Sequence, residues 1–182
     1  EKEPPAGLIS IRTQSQIPED WAGKIDGILS RSTGYDHLKR YGKQTGKSLS
    51  MGYLPLYCHR AVAEHVFLLM LALFRKLPIQ IKNFDTFHRD GITGMEIQNK
   101  KLLVVGVGNI GSQVVEIGHG MGMEVMPVDI DKKFPDLKYV EIEEGIRRAD
   151  VIVCAMNLTD HNDGYFHYDL LKTAPKGTVF IN

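Results

Sequence analysis

The sequence has few cysteines, no surplus of charge and no long apolar run. Cys58 and Cys154 are far apart and outside any Cys-x-x-Cys pair, which argues against a zinc site or a disulfide framework. The 22 basic residues balance 22 acidic ones, so net charge favours neither nucleic acid nor an anionic membrane as a partner. The longest strongly apolar stretch, residues 66–74, is far short of the roughly 20 residues that span a bilayer. Since the N terminus also shows no signal-peptide pattern, we expect a cytoplasmic protein in which Cys154 is a buried core thiol.

Strand-like and helix-like segments alternate along the chain, which predicts parallel βαβ units with right-handed crossovers. The predicted strands are residues 7–11, 25–29, 102–106, 124–128, 138–142, 151–155 and 178–181, and the predicted helices are 109–119, 142–149 and 168–174. Residues 61–77 form a further predicted helix, closed by Pro78. Because this helix is apolar on nearly every side, we expect it to be buried in the protein or in a subunit interface.

A glycine fingerprint follows the apolar residues 102–105. Gly106, Gly108 and Gly111 have Gly-x-Gly-x-x-Gly spacing, and Asp129 ends the next apolar run. The first glycine permits a tight turn, the second lets the backbone approach a pyrophosphate, and the third lets the helix pack against the strand. A carboxylate after the second strand accepts hydrogen bonds from a ribose. The pattern predicts a dinucleotide site; another nucleotide, an S-adenosyl ligand or a turn without a ligand are the alternatives.

Several segments, in the same order, resemble the D-isomer-specific 2-hydroxyacid dehydrogenase family. They are residues 30–37, the 57–65 hinge, the 106–111 fingerprint with Gly122, Met123 and Asp129, the 154–159 loop and the 177–182 strand. The resemblance implies a Rossmann-type doubly wound parallel sheet plus part of a smaller flavodoxin-like α/β substrate domain. Residues 1–59 would be the partial substrate domain, and residues 60–182 an NAD-binding domain truncated at its C-terminal end.

The resemblance also suggests site residues. Main-chain amides at Thr33 and Gly34 would hold the substrate carboxylate, with Tyr57 beside them, although Gly34 is also explained by a turn and Tyr57 by packing. The residues expected to bind the cofactor are Gly106, Gly108, Asn109, Ile110, Gly111, Asp129, Met156, Asn157 and Thr159. Asn157 stands where the family commonly has proline. We interpret Glu64 and His65 as structural residues.

The function that the resemblance implies is hydride transfer between NAD and C2 of a D-2-hydroxy or 2-oxo acid. The catalytic arginine of the family would lie just beyond Asn182, with its glutamate and histidine further on, so no catalytic residue is assigned and no metal site is expected. We therefore expect residues 1–182 alone to bind NAD weakly at best and not to turn over. The alternatives are a non-catalytic, corepressor-like NAD-sensing protein and a related dehydrogenase acting on formate or phosphite. Members of the family commonly form dimers through the cofactor domain, so a homodimer is expected.

Overall fold

Parallel strands and intervening helices make up the fold, as the alternating pattern predicts. The computed structural model describes residues 3–159 and 161–182. Every strand pairing within these residues is parallel, which confirms the α/β class. The chain divides into two units, Glu1–Cys58 and His59–Asn182. Within the described ranges, no helix has both the length and the apolar character that crossing a bilayer requires.

The first unit, as far as the structure describes it, is a three-stranded sheet with one α-helix. Its elements are β1 (Leu8–Ile11), β2 (Gly27–Ser30), α1 (Asp36–Thr45) and β3 (Ser50–Gly52), with a 3-10 helix at Glu19–Gly23, and the strand order is β1-β2-β3. Ile9 and Ile28 of the sheet pack with Leu38 and Tyr41 of α1 in one buried cluster. This packing fixes the segment between β2 and α1 at both of its ends.

The second unit is a four-stranded parallel sheet with strand order β5-β4-β6-β7. The strands are β4 (Lys101–Val105), β5 (Glu124–Val128), β6 (Val151–Cys154) and β7 (Val179–Ile181). The helices are α2 (His59–Phe74), α3 (Leu77–Lys82), α4 (Asn109–Gly120), α5 (Ile142–Arg148) and α6 (Tyr168–Leu171), with a 3-10 helix at Phe84–Thr86.

Strand β4 is covered on both of its faces. Leu102 and Val104 belong to the cluster that α2 and α4 cover, whereas Leu103 and Val105 belong to the cluster that contains Ile146 of α5. Alternate residues of a strand point to opposite faces of the sheet, so a strand covered twice is apolar at every position. The continuous apolar run therefore correctly predicted a central strand.

The prediction of one helix over residues 61–77 is wrong at its C-terminal end. Helix α2 ends at Phe74, and Lys76 has a left-handed backbone (φ 52°) that ends the helical path. Pro78 lies in the first turn of α3 instead of closing α2. Proline is tolerated there because the first N–H groups of a helix have no partner within the helix.

The predicted strand at residues 138–142 is also wrong, because the chain there is a loop that leads into α5. Val140 donates a backbone hydrogen bond of 3.0 Å to the carbonyl oxygen of Pro127 in β5. Pro127 has no N–H to donate, so this side of β5 offers one hydrogen bond fewer to a neighbouring strand.

Candidate functional site

The three glycines of the fingerprint have different roles in the fold. A Cβ at Gly106, where φ is +92°, would lie 2.7 Å from the Met156 nitrogen, and one at Gly111 would lie 1.8 Å from the Gly106 oxygen. A Cβ at Gly108 would have no heavy atom of the described residues within 4 Å. Gly106 and Gly111 are therefore required by the fold itself, whereas the space at Gly108 is open to a ligand.

The N terminus of α4 is suited to an anion. Gly108 is its N-cap, and among the described residues no side chain caps it and no acidic residue lies in its first turn. The first N–H groups of a helix lack partners within the helix and carry partial positive charge. Asn109 and Ile110, the first two residues of α4, present such groups. A phosphate beside Gly108 would thus meet these donors, with no carboxylate in the first turn of the helix to repel it.

Asp129 holds the glycine turn in place. Its carboxylate accepts hydrogen bonds from the backbone N–H of Val107 at 2.5 Å and of Asp131 at 2.9 Å. The carboxylate is thereby fixed where β5 ends, next to the turn after β4. Each carboxylate oxygen has capacity for another hydrogen bond, so both can still accept from ribose hydroxyls. The sequence did not predict the bond from Val107.

The loop after β6 lies against the glycine turn, where Gly106 abuts the backbone of Met156. Asn162 supports this loop: its Oδ1 accepts from the Thr159 N–H at 2.7 Å and its Nδ2 donates to the Asn157 carbonyl at 2.8 Å. Asn162 is not among the residues predicted from the sequence. An asparagine a few residues past a strand end is a turn signal that could have identified it.

A cavity of about 360 Å³ opens beside the ends of β6 and β7. Its lining includes two of the predicted cofactor residues, Met156 and Asn157, together with Cys154 and Tyr165. Cys154 is half-buried, which corrects the expectation of a buried core thiol. Burial, with additional effects of Glu143 and Glu141, raises the pKa of Tyr165 above its ordinary value. Tyr165 therefore keeps its phenol proton at neutral pH.

The three predicted substrate residues lie together in the first unit. The Thr33 hydroxyl donates a 2.9 Å hydrogen bond to the Tyr57 carbonyl, and Gly34 follows in an exposed loop. Among the described residues, the main-chain N–H groups of Thr33 and Gly34 have no hydrogen-bond acceptor. A Cβ at Gly34 would meet only Asp36 Oδ1, at 3.6 Å, within this part of the chain. The Tyr57 side chain is 54% exposed.

Glu64 lies on the exposed side of α2, where it accepts a 3.1 Å hydrogen bond from Arg60 Nε. Arg60 also contacts Glu116 of α4 at 3.3 Å. These surface ion pairs link α2 to α4 and agree with a structural interpretation of Glu64.

The parallel sheet, the open position at Gly108, the uncapped helix and the fixed Asp129 carboxylate together define a dinucleotide-binding domain. The site fits such a ligand because Gly106 forms the turn and Gly111 lets α4 approach it closely, while Gly108 leaves room for the ligand. A family model for the NAD-binding domain of D-isomer-specific 2-hydroxyacid dehydrogenases matches residues 67–182. The chain belongs to this family, and its cofactor is NAD.

Known relatives support the same family assignment. An aromatic 2-oxoacid reductase of Clostridium sporogenes is 30% identical over 169 residues, which are 87% of this chain and 49% of the relative. The D-3-phosphoglycerate dehydrogenase of Bacillus subtilis is 28% identical over 94% of this chain and 34% of its own length. A crystal structure of D-lactate dehydrogenase from Aquifex aeolicus with NAD and lactic acid superposes with a TM-score of 0.80 at 27% identity, covering 98% of this chain and 56% of that one. The chain spans about half the length of the first of these relatives.

The different roles of the glycines lead to a direct test. Gly108→Ala should keep the stability of the fold but weaken NADH binding about tenfold or more, because the added methyl group occupies the space for the pyrophosphate. Gly111→Ala should lower the free energy of unfolding by about 1–3 kcal/mol through its clash with the Gly106 carbonyl. NADH fluorescence titration and chemical denaturation measure the two effects.

The matched control is Gly120→Ala, since Gly120 ends the same helix and a Cβ there would also have no described heavy atom within 4 Å. Gly120→Ala should change neither the NADH affinity nor the free energy of unfolding by much. Unchanged NADH binding by Gly108→Ala would show that the cofactor does not approach this backbone.

Proposed function

We propose that the protein is an NAD-dependent oxidoreductase that transfers a hydride between nicotinamide and C2 of a D-2-hydroxy or 2-oxo acid. The observation that carries the proposal is that one chain contains both an open dinucleotide turn and a glycine loop with two N–H groups that have no acceptor among the described residues. The names of the relatives, an aromatic 2-oxoacid reductase and D-lactate and D-3-phosphoglycerate dehydrogenases, support the same chemistry.

The first unit supplies the substrate residues in this proposal. The N–H groups of Thr33 and Gly34 donate to the substrate carboxylate, and the absence of a side chain at Gly34 lets the anion approach the backbone. Tyr57 lies next to this loop and contributes a wall to the substrate site. Fixed amide donors orient the acid, and they require little rearrangement when charge develops during the reaction.

The second unit supplies the cofactor residues. NAD provides the hydride acceptor, and its reduced form provides the hydride. The backbone at Gly106, Gly108 and Gly111 and the first N–H groups of α4, at Asn109 and Ile110, hold the pyrophosphate. Asp129 accepts hydrogen bonds from the ribose, while Met156, Asn157 and Thr159 contact the adenosine portion from the loop that Asn162 supports.

A substrate panel tests this proposal on the complete gene product. We expect NADH-dependent reduction of 2-oxo acids, such as pyruvate and phenylpyruvate, and NAD-dependent oxidation of D- but not L-2-hydroxy acids, followed by NADH absorbance. Formate and phosphite are included with NAD. Oxidation of either, without reduction of any 2-oxo acid, would assign a related dehydrogenase instead. NADH binding with no turnover of any of these compounds would favour the NAD-sensing alternative.

Asp129 leads to a prediction about cofactor preference. A carboxylate at this position accepts hydrogen bonds from the 2′-hydroxyl of NAD and repels the 2′-phosphate of NADP, so NADH should bind more tightly than NADPH. Asp129→Asn keeps an acceptor for the Val107 N–H but removes the charge, and should reduce this preference about tenfold. Parallel fluorescence titrations measure both affinities. Equal or tighter binding of NADPH by the unaltered protein would contradict the prediction.

The apolar surface of α2 and α3 supports a homodimer. One side of α2, with Ala63, Phe67 and Met70, is buried in the core. Seven other apolar residues of α2 and α3 are nonetheless exposed, and they are called the apolar patch: Val62, Leu68, Leu69, Leu73, Leu77, Ile79 and Ile81. Extended apolar patches of this kind are unusual on monomers and typical of interfaces. In the proposed homodimer, a second copy of the chain covers the patch.

Light scattering tests the dimer. The protein should elute at twice its monomer mass at micromolar concentration, and Leu73→Lys should shift it toward the monomer, because a buried ammonium without a partner is costly. Leu158→Lys introduces the same charge at an exposed leucine outside the patch and should leave the dimer intact. A monomeric unaltered protein at this concentration would refute the proposed interface.

A further inference from the structure

Three side chains form a hydrogen-bonded chain beneath the Thr33–Gly34 loop. His37 Nε2 lies 2.7 Å from Ser30 Oγ, which lies 2.7 Å from Ser32 Oγ. Ser32 Oγ in turn donates to the Gly34 carbonyl oxygen, also at 2.7 Å. Ser30 is fully buried, at 0% exposure, so this relay of Ser30, Ser32 and His37 is isolated from exchange with solvent at its centre.

The number of hydroxyl protons fixes the direction of the relay. A carbonyl oxygen only accepts, so the single hydroxyl proton of Ser32 points at Gly34. Ser32 Oγ must then accept the proton of Ser30, and Ser30 Oγ must accept a proton from His37 Nε2. His37 is therefore the donor at the start of the chain, in the tautomer with Nε2 protonated. Its Nδ1 is buried and has no hydrogen-bond partner among the described residues.

Hydrogen bonds with neighbouring side chains and backbone hold the Thr33–Gly34 loop on both sides. None of these bonds uses the main-chain N–H of Thr33 or Gly34. The Gly34 carbonyl is held by the relay, and the Thr33 hydroxyl is bonded to the Tyr57 carbonyl. The Ser32 carbonyl accepts a further backbone bond from the Leu54 N–H at 3.0 Å. The loop is thus held on both sides of Thr33 and Gly34, and the N–H groups of these two residues have no acceptor among the described residues.

We propose that Ser30, Ser32 and His37 are positioning residues for the substrate carboxylate. The relay fixes the Gly34 carbonyl and the Leu54 N–H fixes the Ser32 carbonyl, and together they restrain the loop that carries both amide donors. The relay itself does not contact the substrate. This inference rests on the proposed function, because it assumes that the Thr33–Gly34 loop binds a carboxylate. It makes a further claim that the proposed function does not contain, namely that His37 exists as the Nε2–H tautomer.

The tautomer is tested first, in the complete gene product with ¹⁵N-labelled histidine. Long-range ¹H–¹⁵N correlation at alkaline pH, where a free imidazole is neutral, should show His37 with a protonated Nε2 and an unprotonated Nδ1. The loss of its signals in His37→Gln assigns them. Ser30→Ala removes the acceptor of Nε2–H and should shift His37 toward a mixture of tautomers. An Nδ1–H tautomer in the unaltered protein would overturn the relay, whatever the enzyme's activity.

Carboxylate binding is tested next, with oxamate, an unreactive analogue of a 2-oxo acid, added to the NADH complex. Ser32→Ala should weaken oxamate binding about five- to tenfold and raise KM for a 2-oxo acid with little change in kcat, since one hydrogen bond to the loop is lost. NADH affinity should be unchanged. Ser32→Thr retains the hydroxyl and should restore oxamate binding. Ser15→Ala removes a hydroxyl that bonds the backbone elsewhere in the same unit, and should have no effect.

Combining substitutions separates positioning from general destabilisation. Once Ser32→Ala has cut the relay, adding His37→Phe should weaken oxamate binding no further, because the two residues act through one path. Additive losses, or unchanged oxamate binding by Ser32→Ala, would overturn the inference and leave the proposed function standing. Failure of the unaltered protein to bind oxamate with NADH present would overturn both.

Discussion

The close approach of helix α4 to the end of strand β4 is the constraint on which the cofactor domain depends. It is possible only because residue 111 has no side chain, since a Cβ there would overlap the Gly106 carbonyl. This approach brings the helix N terminus to the edge of the sheet where β4 ends. Asp129 then ties the intervening turn to the end of β5 through the Val107 N–H. The same backbone contacts that make the sheet and helix compact therefore create the place for an anionic ligand.

The parts of the fold that the sequence predicted well are those in which burial determines residue type. Strands β4 and β6 are apolar at every buried position because helices cover both faces of the sheet. The prediction was wrong where a missing N–H or a left-handed backbone conformation, and not burial, determined the secondary structure. Pro127 deprives β5 of a donor on its outer side, so residues 138–142 do not become a strand. Lys76 ends α2 through its own left-handed conformation, although a lysine gives little sign of this in a sequence.

The candidate site could likewise be predicted only in part from the sequence. A motif identified the glycine turn and Asp129, because Gly106 and Gly111 answer local steric demands of the fold and Gly108 leaves open space beside the helix N terminus. The supporting residues could not be inferred in this way. Asn162 and His37 act through hydrogen bonds whose partners depend on the path of a loop, and many polar residues at those positions would fit the pattern equally well. Spacing predicts what backbone geometry requires, but not which side chain holds a loop in place.

The two contacts of Asp129 couple cofactor choice to the integrity of the turn. Its carboxylate is both the group proposed to bind the ribose and the acceptor for the Val107 N–H. A descendant of this protein that came to use a phosphorylated cofactor would have to replace the charge and still satisfy that N–H. The change would thus require a neutral acceptor at position 129 before any cation nearby could become useful.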